Sequence, residues 1–175
     1  ASGDTSTAMG YLTTASGNYS TSMGYETTAS GSRSTAMGSG TIASGNNSTA
    51  TGYFTTASGN KTTAMGANTT ASDYASLVIG QFNSSGSSVT NNATSYNTAN
   101  TAFVIGNGTD SSNKSDAFKV MFNGDATVSN DLTVSGDVVI SSDARLKSNI
   151  ESLGSTLSKL LQIDGKSYEM KGKQK

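Results

Sequence analysis

Residues 1 to 70 repeat one fourteen-residue unit five times, A-S-G-x-x-S/T-T-A/S-M/T-G-x-x-T-T/I, with alanines at Ala1, Ala15, Ala29, Ala43 and Ala57. A period this strict constrains the chain more than any other feature, because identical units bury surface only by stacking on one another, as a solenoid. Each unit divides into two similar halves of seven, as in Ser6-Thr7-Ala8-Met9-Gly10-Tyr11-Leu12 followed by Thr13-Thr14-Ala15-Ser16-Gly17-Asn18-Tyr19. A few β-compatible residues, a glycine and two variable positions make one short strand and one tight corner, with no room for a helix. Two halves give a coil of two strands. Coils stacked at the ordinary strand spacing of about 4.8 Å form a parallel β-roll, a rod roughly 25 to 30 Å long for five or six coils.

Side chains alternate along Ser-Thr-Ala-Met-Gly, so Thr7 and Met9 face one way and Ser6, Ala8 and Gly10 the other. Leu77 and Ile79 fill the Thr and Met columns in a degenerate sixth unit, and Ile42 fills the matching column of the second half. Apolar replacement implies burial, which predicts the Thr/Met face inward. The sixth unit, Ala71 to Gly80, is more apolar than the others and is expected to close the roll.

Hydrophobic residues make up 33% of the chain and aromatic residues 7%, with 20 glycines, too lean for an ordinary globular core. Such a composition by itself reads as disorder, and the period argues against that. A thin roll with small interior residues buries little apolar area per coil, so neighbouring copies are expected to supply the rest, most simply as a parallel homotrimer. The chain has no cysteine and no histidine. Disulfides, thiol chemistry and the commonest metal ligand and general base are thereby excluded, along with most enzyme classes. Up to Ile140 there are 4 Lys/Arg against 8 Asp/Glu, and from Ser141 onward 7 against 4. This pattern gives no nucleic-acid footprint on the rod. No apolar run approaches the ~20 residues of a membrane span, and Ala1 opens no signal peptide. An array that begins in phase at residue 1 has no N-terminal cap, as expected of a piece of something longer.

The organisation changes after the repeats. Residues 81–116 comprise a polar stretch from Gln81 to Thr101 and a second strand, Ala102 to Gly106. Residues 117–141 hold short apolar runs, Phe118 to Phe122, Ala126 to Val128, Leu132 to Val134 and Val138 to Ile140. Turn residues punctuate them, which predicts a shaft of short strands. From 142 to 175, Leu146, Ile150, Leu153, Leu157 and Leu160 follow heptad spacing, and a helix is expected from about Ser155 to before Gly165, then a strand over Lys166 to Lys171.

Two resemblances rest on quoted residues. The heptads S-T-A-M-G-x-x and T-T-A-S-G-x-x resemble the haemagglutinin-type repeats of trimeric autotransporter adhesin heads over residues 1 to about 80. That resemblance implies a left-handed parallel β-roll in each chain, three rolls side by side, and attachment to surfaces. Ser142-Asp143-Ala144-Arg145-Leu146-Lys147-Ser148-Asn149-Ile150 is similar to the opening of the C-terminal intramolecular chaperone of endosialidase-type tail spikes and fibres, and Leu160 to Lys171 fits its continuation. On the residues alone, Asp143, Arg145 and Lys147 are solvated charges at a helix start. The resemblance implies instead a trimerising segment that cuts itself off between Ser141 and Ser142, with Ser142 as nucleophile and Lys147 as its base. A lysine desolvated in a trimer interface has the lowered pKa such a role needs.

Tyr11, Tyr25 and Tyr53 share one corner column, where rings stack on each other or on sugars. Ladder stacking is the simpler expectation. The column Thr7 to Thr63 and the column Thr13 to Thr69 raise a minor alternative, an ice-binding solenoid, which the inward placement of the first column opposes. No phosphate loop, calcium loop, metal site or cofactor is predicted. Variable turn positions, among them Glu26, Arg33, Phe54 and Lys61 with Asp4, Asn18 and Asn47, are the expected places for surface recognition. The expected protein is thus an extracellular all-β trimeric fibre, the distal part of a phage-type or injection-machine tail fibre that binds a cell-surface glycan or protein receptor. The alternative is a bacterial surface adhesin head.

Overall fold

A computed structural model describes residues 1–137. Ala1–Thr133 forms one compact unit. The expected strand at Val138 to Ile140, the C-terminal helix and strand, and Ser142 and Lys147 lie outside the described residues.

The repeat folds as its period requires. Each half-repeat of the S-T-A-M-G type gives a five-residue strand and each T-T-A-S-G half a two-residue strand. They alternate as β1 (Thr7–Tyr11), β2 (Thr14–Ala15), β3 (Thr21–Tyr25), β4 (Thr28–Ala29), β5 (Thr35–Ser39), β6 (Ile42–Ala43), β7 (Thr49–Tyr53), β8 (Thr56–Ala57), β9 (Thr63–Ala67) and β10 (Thr70–Ala71). The long strands pair in parallel with a fourteen-residue offset, Thr7↔Thr21, Met9↔Met23 and so on, and the short strands likewise. The result is a β-solenoid of two parallel sheets. Among the described residues no helix forms.

Perfect register has a steric condition at the strand's glycine. Gly24, Gly38 and Gly52 take φ near +120°, and a Cβ on any of them would collide with the carbonyl oxygen of the glycine one coil on. Only glycine fits, so the M/T-G step is a backbone requirement.

The interior is narrower than the sequence suggests. Ala36, Ala50 and Ala64 of the long strands meet Ala15, Ala29, Ala43, Ala57 and Ala71 of the short ones, all fully buried. The Thr/Met face points outward, which corrects the expected placement: Met9 is 58% exposed, and Ile42, in the matching column of the second half, is 41% exposed. The physical reason is width, since two sheets joined by alternating connections of two and five residues leave space between them for methyl groups but not for methionine. Burying one methyl contributes on the order of 0.8 kcal/mol, so this interior holds each coil weakly and the ladders of backbone hydrogen bonds set its shape.

Hydroxyls share the interior. In coil 2 the alanine column is interrupted by Ser22, whose Oγ lies 2.7 Å from Thr27 Oγ1. Thr41, Thr55 and Thr69, in the same column as Thr27, are buried with no partner for Oγ1.

The roll does not close at the sixth unit as expected. β11 (Leu77–Gln81) pairs in parallel with β9 and also with β12 (Thr101–Asn107), so the long-strand sheet gains a seventh rung after an excursion through residues 82–100. β12 carries the expected second strand and adds Val104 to the buried file. β13 (Asp116–Met121) and β14 (Ala126–Val128) then continue the sheet antiparallel. These are two of the expected shaft strands. Leu132 to Val134 forms no strand, against expectation, and Leu132 is 72% exposed.

The ending rests on buried polar side chains that stand in for a missing coil. The short-strand sheet stops at β10, where Asn83 imitates a strand: its Oδ1 accepts from Thr70 N–H at 2.8 Å and its Nδ2 donates to the Thr70 carbonyl at 2.9 Å. Asp73 takes the place of the corner glycine of earlier coils. Its carboxylate, wholly buried, accepts the Thr90 N–H at 2.6 Å and the Thr101 N–H at 2.8 Å. Asn100 makes a similar two-way exchange with the backbone of Asn92, and Asp116 accepts from the N–H groups of Ser84 and Ser85.

Candidate functional site

The two corners of the roll differ in chemistry. Each is a stack of two-residue turns whose second member adopts the left-handed conformation: Leu12, Glu26, Gly40, Phe54 and Asn68 at one corner, Thr5, Tyr19, Arg33, Asn47 and Lys61 at the other. A non-glycine residue there costs on the order of 1 kcal/mol, and among these ten positions glycine occurs once, at Gly40. The expected recognition residues Glu26, Arg33, Phe54 and Lys61 all occupy such positions, with side chains held outward by the turn.

The corner after the long strand is aromatic. Tyr11 and Tyr25 stack with ring centroids 5.2 Å apart and planes 14° from parallel, so the expected ladder forms between coils 1 and 2. It then breaks, because coil 3 carries Ser39 and Gly40 in place of the ring-bearing pair. Tyr53 resumes the column in coil 4 and packs edge-on against Phe54, centroids 4.6 Å apart and planes at 88°. Phe54 lies across Gly40: a methyl group at that glycine would come within 2.7 Å of the ring. Beside Tyr25, hydrogen bonding to the Glu26 side chain, followed by the carboxylate's charge, raises the Tyr25 pKa above its ordinary value.

The opposite corner is cationic and amide-rich. Arg33 sits over the Tyr19 ring at 5.6 Å, and Lys61 over Tyr74 at 5.2 Å, its Nζ also donating to the Tyr74 hydroxyl at 2.7 Å. Below them runs an asparagine file: Asn18, Asn46 and Asn60 each accept a backbone N–H from the preceding coil, from Asp4, Ser32 and Asn46 in turn, at 3.2, 3.1 and 2.9 Å. Asn18 is thereby partly structural, and Asn47 stands between Arg33 and Lys61 on the exposed column.

The structure thus gathers Tyr11, Tyr25, Tyr53, Glu26 and Phe54 on one corner and Arg33 and Lys61 on the other. Reading single residues missed Ser39 and Gly40, and the partners Tyr19 and Tyr74. The signal was present as the ring missing at Ser39 between Tyr25 and Tyr53, in a column that goes on to Ala67 and Gln81. The two threonine columns that bear on ice binding lie the other way round from expectation. The column Thr21 to Thr63 faces outward and Thr27 to Thr69 is buried. The outward face nevertheless carries a single threonine file, because the file beside it is Met9, Met23, Met37, Thr51 and Met65. Among the described residues no group of acidic side chains gathers as a metal site, and no helix is long and apolar enough to cross a membrane.

Residues 1–27, 29–55 and 57–83 match the YadA head domain repeat, two copies of the repeat to each match, and residues 142–175 match the chaperone of endosialidase. No curated protein matches the chain. The two matches coincide with the two segments singled out by their motifs. Together they support an extracellular or surface-exposed protein of the trimeric adhesin or tail-fibre type.

Proposed function

We propose that this chain is the distal part of a phage-type or contractile-injection tail fibre, a homotrimer that attaches to a cell surface through many weak contacts. The observation that carries the trimer is the outward apolar file. Met9, Met23, Met37, Met65, Ile79 and Ile105 lie in one file up a single sheet face, broken only by Thr51 in coil 4, beside Leu77 and Phe103 of the neighbouring column. An outward apolar strip on a lean chain supports an interface. Three copies packed on this face would bury the residues whose apolar character the sequence emphasises. The match to the chaperone of endosialidase at 142–175 favours the tail-fibre reading, because such a segment is expected to nucleate the trimer and leave by cleavage before Ser142 with Lys147 as base. The YadA head repeats favour a second reading, a bacterial surface adhesin head.

Three identical faces on a rigid rod convert weak sites into durable attachment. The test is the native and denatured mass of the full chain and of its Ser142→Ala variant, with cell binding measured for each and for Met37→Lys. A native trimer whose denatured chain ends at Ser141, uncut in Ser142→Ala, is expected of a tail fibre, whereas an uncut trimer in both favours the adhesin reading. Met37→Lys places three charges in the interface and is expected to give monomers that no longer hold cells. Undiminished cell binding by a monomer would sink both readings.

A further inference from the structure

We infer that the break in the aromatic column is a binding notch for a neutral pyranose, and that the rod attaches to surface glycans through it. The inference rests on the attachment proposed above and names the site and the ligand class.

The walls are set by coil spacing. Tyr25 and Tyr53 stand two coils apart, roughly 9.6 Å at ordinary strand spacing, with Ser39 between them. A ring inserted between two others needs about 7 to 8 Å, two van der Waals contacts of 3.5 to 4.0 Å each. The two-coil gap therefore admits one ring, whereas the 5.2 Å between Tyr11 and Tyr25 leaves no space for any. Phe54, laid across Gly40, closes one side, and Ser39 offers its hydroxyl as the floor. Tyr25 and Tyr53 remain 49% and 54% exposed.

The polar groups select the ligand. Around the notch they are the Glu26 carboxylate, the Tyr25 phenol and the Ser39 hydroxyl, with no cation at this corner. A carboxylate accepts from sugar hydroxyls and repels a carboxylated or sulfated sugar, while the two rings favour the apolar C–H faces of a pyranose with equatorial substituents. Arg33 and Lys61, which would favour an anionic glycan, lie at the other corner. The repeat of the notch on each copy of a trimer would supply the avidity.

The decisive variant is Ser39→Tyr. It restores the ring that the column lacks, in the geometry already adopted by Tyr11 and Tyr25, and so fills the notch without disturbing the ladder. Full-length protein is applied to an array of neutral hexose and N-acetylhexosamine oligosaccharides, with sialylated and sulfated ones beside them. The expected result is retention on neutral glycans, a loss of at least tenfold in Ser39→Tyr and in Tyr53→Ala, and no change in Arg33→Ala. The two notch variants act oppositely on bulk, so a folding defect in one does not decide the outcome, and thermal melting of each is recorded. Retention unchanged in both variants, the absence of any neutral glycan bound, or a preference for anionic glycans that Arg33→Ala abolishes would each overturn the inference. Cell attachment that survives in both variants after glycan binding is lost would overturn it too, while leaving the attachment reading intact.

Discussion

The coils of residues 1–80 and the closing region of 81–133 solve the same problem by opposite means. In the coils every backbone group finds its partner in an identical neighbour, so side chains need only stay small inside and compatible in columns. Where the neighbours run out, Asn83, Asp73, Asn100 and Asp116 each supply by side chain the bonds another coil would have made. A periodic array tolerates anonymity in its members, and an ending does not.

The largest effect is expected inside the array. Gly38→Val would drive a branched side chain into the Gly52 carbonyl at a φ of +118°, costing about 4 kcal/mol or more. Because each coil templates the next, loss of protection from hydrogen exchange should spread over both flanking coils; loss confined to coil 3 would contradict the templating view. Asp73→Ala should cost about 1 to 3 kcal/mol by leaving the buried Thr101 N–H, and the half-buried Thr90 N–H beside it, without their acceptor, yet its exchange signature should stay within residues 82–101. Equal deprotection of coils 1 to 3 would erase the contrast between array and ending.

A gain is expected from Thr41→Val. The hydroxyl is buried without a partner, so an isosteric methyl should raise stability by about 1 kcal/mol, visible as a higher denaturant midpoint at constant slope. An unchanged or lower midpoint would mean that the hydroxyl is bonded in solution. The smallest effect concerns Asp110, held below the usual carboxylate range chiefly by the Asn113 side chain and then by the N–H groups of Ser112 and Asn113. A depressed folded pKa stabilises the turn above the ordinary carboxylate value, and the contribution is lost as pH falls through the lowered one. Acidification should therefore speed amide exchange at Ser112 and Asn113 while leaving the coils unaffected.

The β-solenoid, its period and its two-strand coil were legible because repetition turns weak local preferences into columns. The direction of the Thr/Met face was not. Leu77, Ile79 and Ile42 argued for an inward face, but their columns face outward, and the interior holds alanine, valine, serine and threonine rather than the longer side chains. Asn83 and Asn100 could not be told from the other asparagines, since nothing local distinguishes an amide that imitates a peptide. Asp73 did carry a sign, as the acidic residue that interrupts the corner file Gly3, Gly17, Gly31, Gly45, Gly59. At the aromatic corner the sequence showed the tyrosine column, and the structure added the Tyr11–Tyr25 stack and the Phe54 ring laid across Gly40.

Strict register has one further outcome, for variation among chains of this kind. A duplication or deletion of any fourteen consecutive residues within the array reproduces the same cross-section and changes only the reach, by about 4.8 Å per event. Length is thus a ruler graded in single coils, adjustable by unequal recombination without refolding anything, while a mark engraved at Ser39 keeps its place on the scale only if the change falls on one side of it.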